Sequence, residues 1–158
     1  ARNKIIVSNA IQAAEKGRHV LVLSERVAHV ESLYRDLVKH FSGLGVSVGM
    51  MVGESTKKER DCAQIAQVIV ATVQLLSVGF NNPRLDTLIF ATPVQNMYQA
   101  VGRILRTHPE KKDPLVIDLF ESGSVMSRKL VLARRKRYLM KGWKVFGDQN
   151  LVGGYKNG

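Results

Sequence analysis

One short segment of the chain holds residues that could bind a phosphate. In "YQAVGRILRTHPE", Gln99, Arg103 and Arg106 occupy positions i, i+4 and i+7, which a helix brings to one side at about 100° per residue. No acidic residue lies where it could pair with the two arginines along that helix, because Pro109 ends the helix before Glu110. The face is therefore either an ordinary solvated surface or a site for an anion. A planar guanidinium suits phosphate oxygens, which it can bind with two parallel hydrogen bonds.

The charge of the whole chain also favours an anionic partner. Its 158 residues include 24 Lys and Arg against 13 Asp and Glu, a formal net charge of +11. Such an excess is typical of proteins that bind nucleic acid. Charge alone leaves a generically basic protein as the alternative.

The composition is that of a globular protein, and it sets limits on class and location. Hydrophobic residues make up 45% of the chain, yet no apolar run is long enough to cross a membrane, so no membrane partner is expected. Cys62 is the only cysteine, which excludes an internal disulfide and a cysteine cluster for zinc. An intracellular, reducing location fits best.

Strands and helices alternate along the chain, and these elements must position the candidate residues. Five β-rich runs are predicted at 19–24, 46–52, 67–72, 87–92 and 114–120. Helices are predicted at 2–16, 26–41, 55–66 and 124–141, and the arginine segment forms a further helix between the fourth and fifth strands. This order predicts an α/β fold with a mostly parallel central sheet and helices on both faces. Ligands of such sheets bind beyond the carboxyl ends of the strands, which here are followed by Ser24, Thr72 and Thr92.

Several nucleotide-binding motifs are missing from the sequence. It has no G-x-x-x-x-G-K-[ST] loop, no G-x-G-x-x-G after a strand and no Asp-Glu pair at a strand end that could hold Mg²⁺. No metal site is predicted. The four histidines are scattered, and we expect ordinary surface or core roles for them: His19, His29, His40 and His108. The chain thus has residues that suit phosphate but lacks the loop that would bind a nucleotide by itself.

Three segments, taken in order, resemble the second RecA-like domain of superfamily 2 helicases of the DEAD/DEAH type. "HVLVLSERVAHVESL" is similar to motif IV, "VIVATVQLLSVGFNNPRLDTLIFATP" to motif V and "QAVGRILR" to motif VI, the Q-x-x-G-R-x-x-R pattern. The segment 53–60 is similar to the family's stretch between motifs IV and V, and the ending "SRKLVLARRKRYLMKGWKV" resembles the tail of phage and large DNA virus members. The resemblance covers nearly the whole chain. It implies a RecA-like three-layer sandwich and one domain over 1–158, with the basic helix 124–141 inside it and an N-terminal ATP-binding RecA-like domain outside this chain.

The resemblance implies a catalytic role for the opening segment. Arg103 and Arg106 match the arginines that reach across a cleft to ATP and Mg²⁺ bound mainly by the first RecA-like domain, where they act as an arginine finger. Gln99 would place the nucleotide or the attacking water, and Gly102 would let the backbone pass close to the nucleotide. Gly79 and Asn81 match the ATP-binding positions of motif V, although many members have Asp where Asn81 stands. Compared with Asp, the Asn side chain keeps an oxygen that accepts hydrogen bonds but lacks the negative charge.

Nucleic-acid contacts are implied at six other positions. Thr72 matches a motif V residue that touches the nucleic-acid backbone, Ser24 and Arg26 match the end of motif IV, and Gly53 would offer a backbone amide to a phosphate. Arg134 and Arg135 belong to the basic C-terminal helix. The ordinary alternatives are hydroxyls satisfied at strand ends, and a basic helix that faces water or the absent domain.

We therefore expect the C-terminal half of an ATP-dependent superfamily 2 helicase or translocase, inactive as an isolated domain. The partners would be nucleic acid, with DNA preferred to RNA, and the N-terminal RecA-like domain. The similarity of the tail favours a viral origin, and then a location in the host cytoplasm, the host nucleus or the virion. The alternative is a non-catalytic module of helicase-like fold that binds nucleic acid or docks a protein.

Overall fold

The computed structural model describes most of the first two thirds of the chain and a few positions beyond it. The described residues are 2–77, 82–92, 112–119, 129, 132, 133, 135, 136, 139 and 140. Contacts divide the chain into two compact units, Ala1–Ile117 and Asp118–Gly158, and each is described by itself. The single domain over 1–158 stays a prediction.

The first unit alternates strands and helices in the predicted order. Its helices are α1 (Arg2–Glu15), α2 (Val27–Phe41) and α3 (Lys57–Gln64), and a short 3-10 helix covers Val73–Ser77. Its strands are β1 (Val20–Ser24), β2 (Val48–Met51), β3 (Val68–Thr72), β4 (Thr87–Phe90) and β5 (Leu115–Asp118), the last reaching one residue into the second unit. Helix α3 is shorter than predicted, because Thr56 and Ile65 act as its caps and lie outside it.

The strands form one parallel sheet in the order β2-β3-β1-β4-β5. The central strands β1 and β3 are buried along their whole length, as are the four residues of β4. Such continuous apolar runs are typical of parallel strands covered on both faces. The predicted α/β class with a parallel sheet is confirmed.

The order in which the chain forms its strands determines which face of the sheet each helix covers. The chain passes from β1 through α2 outward to β2 and returns through α3 to β3. Because crossover connections of parallel strands share one right-handed sense, α2 and α3 cover opposite faces. Helix α1 packs on α2 and on β1, and it therefore shares the face of α2.

A glycine permits the close packing of α3 on the edge strand. A Cβ at Gly49 would lie 2.8 Å from the Cα of Ala63 and 2.9 Å from its carbonyl oxygen. Both are backbone atoms, which cannot turn aside as a flexible side chain can. The sequence of β2 thus needs a residue without a side chain at this point of contact.

The described positions between 129 and 140 are all helical, in agreement with the helix predicted there. Their exposed members follow a helical spacing along one face: Lys129, Leu132, Ala133, Lys136, Leu139 and Met140. Arg135 is half-buried. Within the described residues, no helix combines the length and the apolar character that a membrane crossing requires.

Candidate nucleic-acid interface

Ser24 and Thr72 end neighbouring strands and lie side by side. They are register partners in the parallel pairing of β1 with β3, so both stand at the carboxyl edge of the sheet, where ligands of α/β proteins bind. Both are buried, with 0% of Ser24 and 3% of Thr72 exposed. The structure therefore brings these two predicted residues together but covers their side chains.

The loop 24–26 after β1 is held by hydrogen bonds on both sides. The backbone N–H of Arg26 donates to Oγ of Ser24 at 3.2 Å, and the N–H of Glu25 donates to Oγ1 of Thr92, just beyond β4, at 3.0 Å. Arg26 and Glu25 are exposed. Arg26 is thus the predicted residue of this loop that can reach a ligand with its side chain.

His29 links the loop to helix α1 through both of its ring nitrogens. Oγ of Ser24 lies 2.9 Å from Nδ1 of His29, and Nε2 of His29 lies 2.8 Å from Oδ1 of Asn3. The expectation of an ordinary role for His29 did not include this network. One feature of the sequence indicates this contact: His29 lies in the first turn of α2, five residues after Ser24. From there its ring can reach the side chain at the end of β1.

The surroundings of His29 keep its ring neutral near pH 7. Burial lowers its pKa from the ordinary value of 6.5, and the positive charges of Arg2 and Arg26 lower it further. With Oδ1 of Asn3 as acceptor, Nε2 carries the ring proton, and Nδ1 accepts from the hydroxyl of Ser24. This assignment satisfies all three side chains at once.

Helix α1 also adds a positive charge to the carboxyl edge. Nε of Arg2 donates to the carbonyl oxygen of Ala91 at 3.0 Å, one residue before Thr92. The edge between β1 and β4 therefore carries Arg2 and Arg26 near one neutral histidine. A positive potential of this kind attracts phosphate groups.

Gly53 lies after β2, where neither packing nor backbone conformation calls for a glycine. A Cβ there would meet no atom within 4 Å, and Gly53 is not among the glycines of positive φ. It is exposed. A bare backbone at an exposed strand end allows a ligand to come close to the peptide N–H. The phosphate contact of Gly53 stays a prediction.

The start of α3, close to Gly53, is capped within the chain. The hydroxyl of Thr56 accepts from the N–H of Glu59 at 3.2 Å, and the Glu59 carboxylate accepts from the N–H of Thr56 at 2.7 Å. This capping box uses two of the donors that a helix start offers. A groove of about 560 Å³ lies nearby along the edge strand β2, but its lining includes Glu54, Lys58 and Glu59. Charges of both signs do not select a polyanion.

The residues predicted for ATP lie outside the described part of the chain. They are Gln99, Gly102, Arg103, Arg106, Gly79 and Asn81, and the predicted nucleic-acid residue Arg134 lies outside it as well. Asn82, next to Asn81, is described: its Nδ2 donates to the carbonyl oxygen of Gln64 at 2.6 Å, and its Oδ1 accepts from the N–H of Arg84 at 3.0 Å. Asn82 thus anchors the part of the motif V segment that precedes β4 to the end of α3.

Known proteins with a similar sequence are helicases of phages and large viruses. The ATP-dependent DNA helicase UvsW of Enterobacteria phage T4 is 28% identical over 130 residues, which cover 78% of this chain and 26% of that protein. A second relative is the "Putative ATP-dependent RNA helicase L396" of Acanthamoeba polyphaga mimivirus. It is 28% identical over 120 residues, which cover 76% of this chain and 23% of that protein. The chain thus spans about a quarter of these relatives. No family model matches it.

Solved structures show the same fold. The crystal structure of T4 UvsW matches 89% of this chain and 32% of that chain, with a TM-score of 0.68 and 23% identity. Domain 2 of the DEAD-box helicase Mss116p, solved with an RNA duplex, matches 84% of this chain and 56% of that chain, with a TM-score of 0.61 and 15% identity. In sequence the chain is thus similar to helicases of phages and large viruses, and its fold is the RecA-like α/β fold of these solved helicase domains.

Proposed function

We propose that this chain is the C-terminal half of an ATP-dependent nucleic-acid helicase or translocase. The observation that carries the proposal is the meeting of Ser24, Arg26 and Thr72 at one basic edge of the sheet, in a chain whose relatives are named as helicases. That edge is where an α/β fold binds its ligand. The activity would depend on a second RecA-like domain that binds ATP.

The described edge would hold the sugar-phosphate backbone of one strand. Arg26 is exposed and would contact a phosphate, and Gly53 would offer its N–H to another. Ser24 is buried and bonded to His29, so its part would be to hold the loop in shape. Thr72 lies beside it. Arg134 and Arg135 of the basic helix are proposed as separate contacts to the nucleic acid. Contacts of this type carry no sequence information, which suits an enzyme that moves along any sequence, and we propose DNA rather than RNA.

The ATP part of the proposal depends on the motif at 99–106. The guanidinium groups of Arg103 and Arg106 have the chemistry to bind the γ-phosphate and to stabilise the charge that develops as it leaves. Gln99, Gly102, Gly79 and Asn81 would complete this side of the nucleotide site. ATP with Mg²⁺ would be held mainly by the N-terminal domain and would supply the free energy of hydrolysis for movement. Within the described residues, no cluster of His, Cys, Asp or Glu side chains is placed to hold a metal ion.

The ATPase test uses a polypeptide that joins this chain to its N-terminal RecA-like domain. Arg103→Ala and Arg106→Ala should each lower nucleic-acid-stimulated turnover by about 10³-fold or more, the range for loss of an arginine finger. Arg35→Ala, which removes an exposed arginine of α2, should leave turnover unchanged. Near-normal turnover by the Arg103 and Arg106 variants would refute the assignment. A joined polypeptide that binds nucleic acid but hydrolyses no ATP would instead support the non-catalytic module.

The isolated 158-residue chain offers a simpler test. It should hydrolyse no ATP and should bind single-stranded DNA with an affinity that falls steeply as salt increases, because each phosphate contact releases counterions. A flat plot of log K against log salt concentration, or ATP turnover by the chain alone, would contradict the proposal.

A further inference from the structure

His29 contacts both helix α1 and the loop after β1. Its ring nitrogens lie 2.9 Å from Oγ of Ser24 and 2.8 Å from Oδ1 of Asn3. We propose that His29 is a positioning residue, which holds the loop 24–26 in the conformation that presents Arg26 to a nucleic-acid phosphate. This inference rests on the proposed role of that loop in binding nucleic acid.

The hydrogen bonds run in a single direction from the loop to the helix. The N–H of Arg26 donates to Oγ of Ser24, the Ser24 hydroxyl donates to Nδ1 of His29, and Nε2–H of His29 donates to Oδ1 of Asn3. Each group is donor at one side and acceptor at the other, so the orientation of the Ser24 hydroxyl is determined by the ring. Without the acceptor Nδ1, that buried hydroxyl would have to turn, and its bond from the Arg26 N–H would be lost or strained.

The choice of histidine fits positioning better than packing alone. The ring lies near two arginines, Arg2 and Arg26, whose charge disfavours its protonated form. An apolar side chain would fill the same space without that penalty, but it would leave the Ser24 hydroxyl buried with no acceptor. A neutral ring offers one acceptor nitrogen to Ser24 and one donor nitrogen to Asn3, and so joins the loop to α1.

Two substitutions of His29 distinguish the contribution of Nδ1 from that of Nε2. In His29→Asn the side-chain oxygen can replace Nδ1 as acceptor for Ser24, whereas in His29→Gln the amide can replace Nε2 as donor to Asn3. Binding of a fluorescent single-stranded DNA oligonucleotide to the 158-residue chain is measured by anisotropy over a range of salt concentrations. We expect His29→Ala and His29→Gln to weaken binding about three- to tenfold and to lower the salt slope by up to about 0.7, the loss of one phosphate contact on a single strand.

The expected rescue and a matched control complete this series. His29→Asn should remain within about twofold of the unaltered chain, because the acceptor for Ser24 is kept. His40→Ala removes an exposed histidine of the same helix and should bind as the unaltered chain does. If His29→Asn binds as weakly as His29→Ala, the positioning role through Ser24 is overturned. Should His29→Ala fail to fold, as judged by circular dichroism, the Asn and Gln variants alone decide.

A double-mutant cycle with Arg26→Ala distinguishes this inference from the proposed function. If His29 acts through Arg26, His29→Ala should have no further effect on affinity in the Arg26→Ala background. An equal loss in both backgrounds would overturn the inference. If Arg26→Ala itself leaves affinity and salt slope unchanged, the proposed contact of the loop with nucleic acid fails. If Arg26→Ala weakens binding and His29→Ala does not, only the positioning role fails.

Discussion

Charged residues are arranged differently at the two ends of the central sheet: they are paired with each other at one end and lie beside a neutral ring at the other. At the amino end, the carboxylate of Asp86 is buried, with 2% of the residue exposed. It accepts from the N–H of His19 at 3.1 Å and from the hydroxyl of Thr87 at 2.9 Å, and Nη1 of Arg18 lies 3.8 Å away. The same Arg18 donates to Oγ1 of Thr87 at 3.3 Å and to the carbonyl oxygen of Asp113 at 2.9 Å.

At the carboxyl end, the positive charges face a neutral ring. Arg2 and Arg26 both act on His29 and lower its pKa, and Arg26 is exposed. The buried Ser24 and the half-buried Asn3 are both hydrogen-bonded to that ring.

Under the proposed function, the amino end serves stability and the carboxyl end serves binding. A buried carboxylate that meets an arginine and several donors joins β1, β4 and the start of β5 in one network, and its charge is balanced inside the molecule. An exposed arginine beside a neutral hydrogen-bonded ring leaves its charge available for a ligand. Substitutions at the amino end should therefore change unfolding, and substitutions at the carboxyl end should change binding.

Asp86→Ala should have the largest effect, a loss of about 3 kcal/mol in the free energy of unfolding. The substitution leaves the N–H of His19 and the hydroxyl of Thr87 without their buried acceptor, and it leaves Arg18 without its carboxylate. Urea unfolding followed by circular dichroism measures the change. Asp113→Ala is the control: its carboxylate is exposed and only its carbonyl oxygen binds Arg18, so the change should stay within about 0.5 kcal/mol. Equal effects of the two would break the comparison.

Gly49→Ala should destabilise the fold by about 1–3 kcal/mol, because the added methyl group meets backbone atoms of Ala63 at 2.8–2.9 Å. The variant is measured by urea unfolding and, where folded, by DNA binding. Its affinity for single-stranded DNA should match that of the unaltered chain, since Gly49 is buried. An unchanged unfolding midpoint would show that α3 can move away from β2 without loss.

Gly53→Ala, just beyond the strand that contains Gly49, should change DNA binding and leave stability unchanged. No atom lies within 4 Å of the added Cβ, so the free energy of unfolding should stay within about 0.5 kcal/mol. Affinity for single-stranded DNA should fall about three- to fivefold, because the methyl group obstructs close approach of a phosphate to the backbone. Unchanged binding in an anisotropy titration would remove Gly53 from the interface.

The smallest expected effect is a pH dependence of stability from His29. Its pKa in the folded state lies below the ordinary value of 6.5, so the unfolded chain binds this proton first as the pH falls. The contribution of the neutral ring is therefore fully present above about pH 7 and is lost as the pH falls below about 6.5. In urea unfolding between pH 5 and 8, stability should rise less steeply with pH for His29→Asn than for the unaltered chain. Identical slopes would show that burial and the two arginines do not act on this ring.

The sequence predicted the parts of the interface that local patterns encode. The sequence predicts the end of β1 at Ser24 and the end of β3 at Thr72 from β-rich runs that end in hydroxyl residues, and their meeting at one edge follows from parallel pairing. His29 was missed because its second partner, Asn3, lies 26 residues away. No periodicity in the sequence reports which side chains of two helices face each other. The sequence predicts a buried strand that ends at Ser24 and leaves a satisfied strand-end hydroxyl as the alternative, but it does not identify His29 as the partner of that hydroxyl.

The sequence by itself determined the alternation of strands and helices, the basic charge and the motif at Gln99, Arg103 and Arg106. These depend on neighbouring residues, whose spacing decides which side of a strand or helix each side chain takes. The tertiary structure decided the strand order β2-β3-β1-β4-β5 and the network that joins Asn3 and His29 to Ser24. Such contacts form only when segments far apart in the chain pack together, because a hydrogen bond depends on distances of about 3 Å that no local pattern specifies.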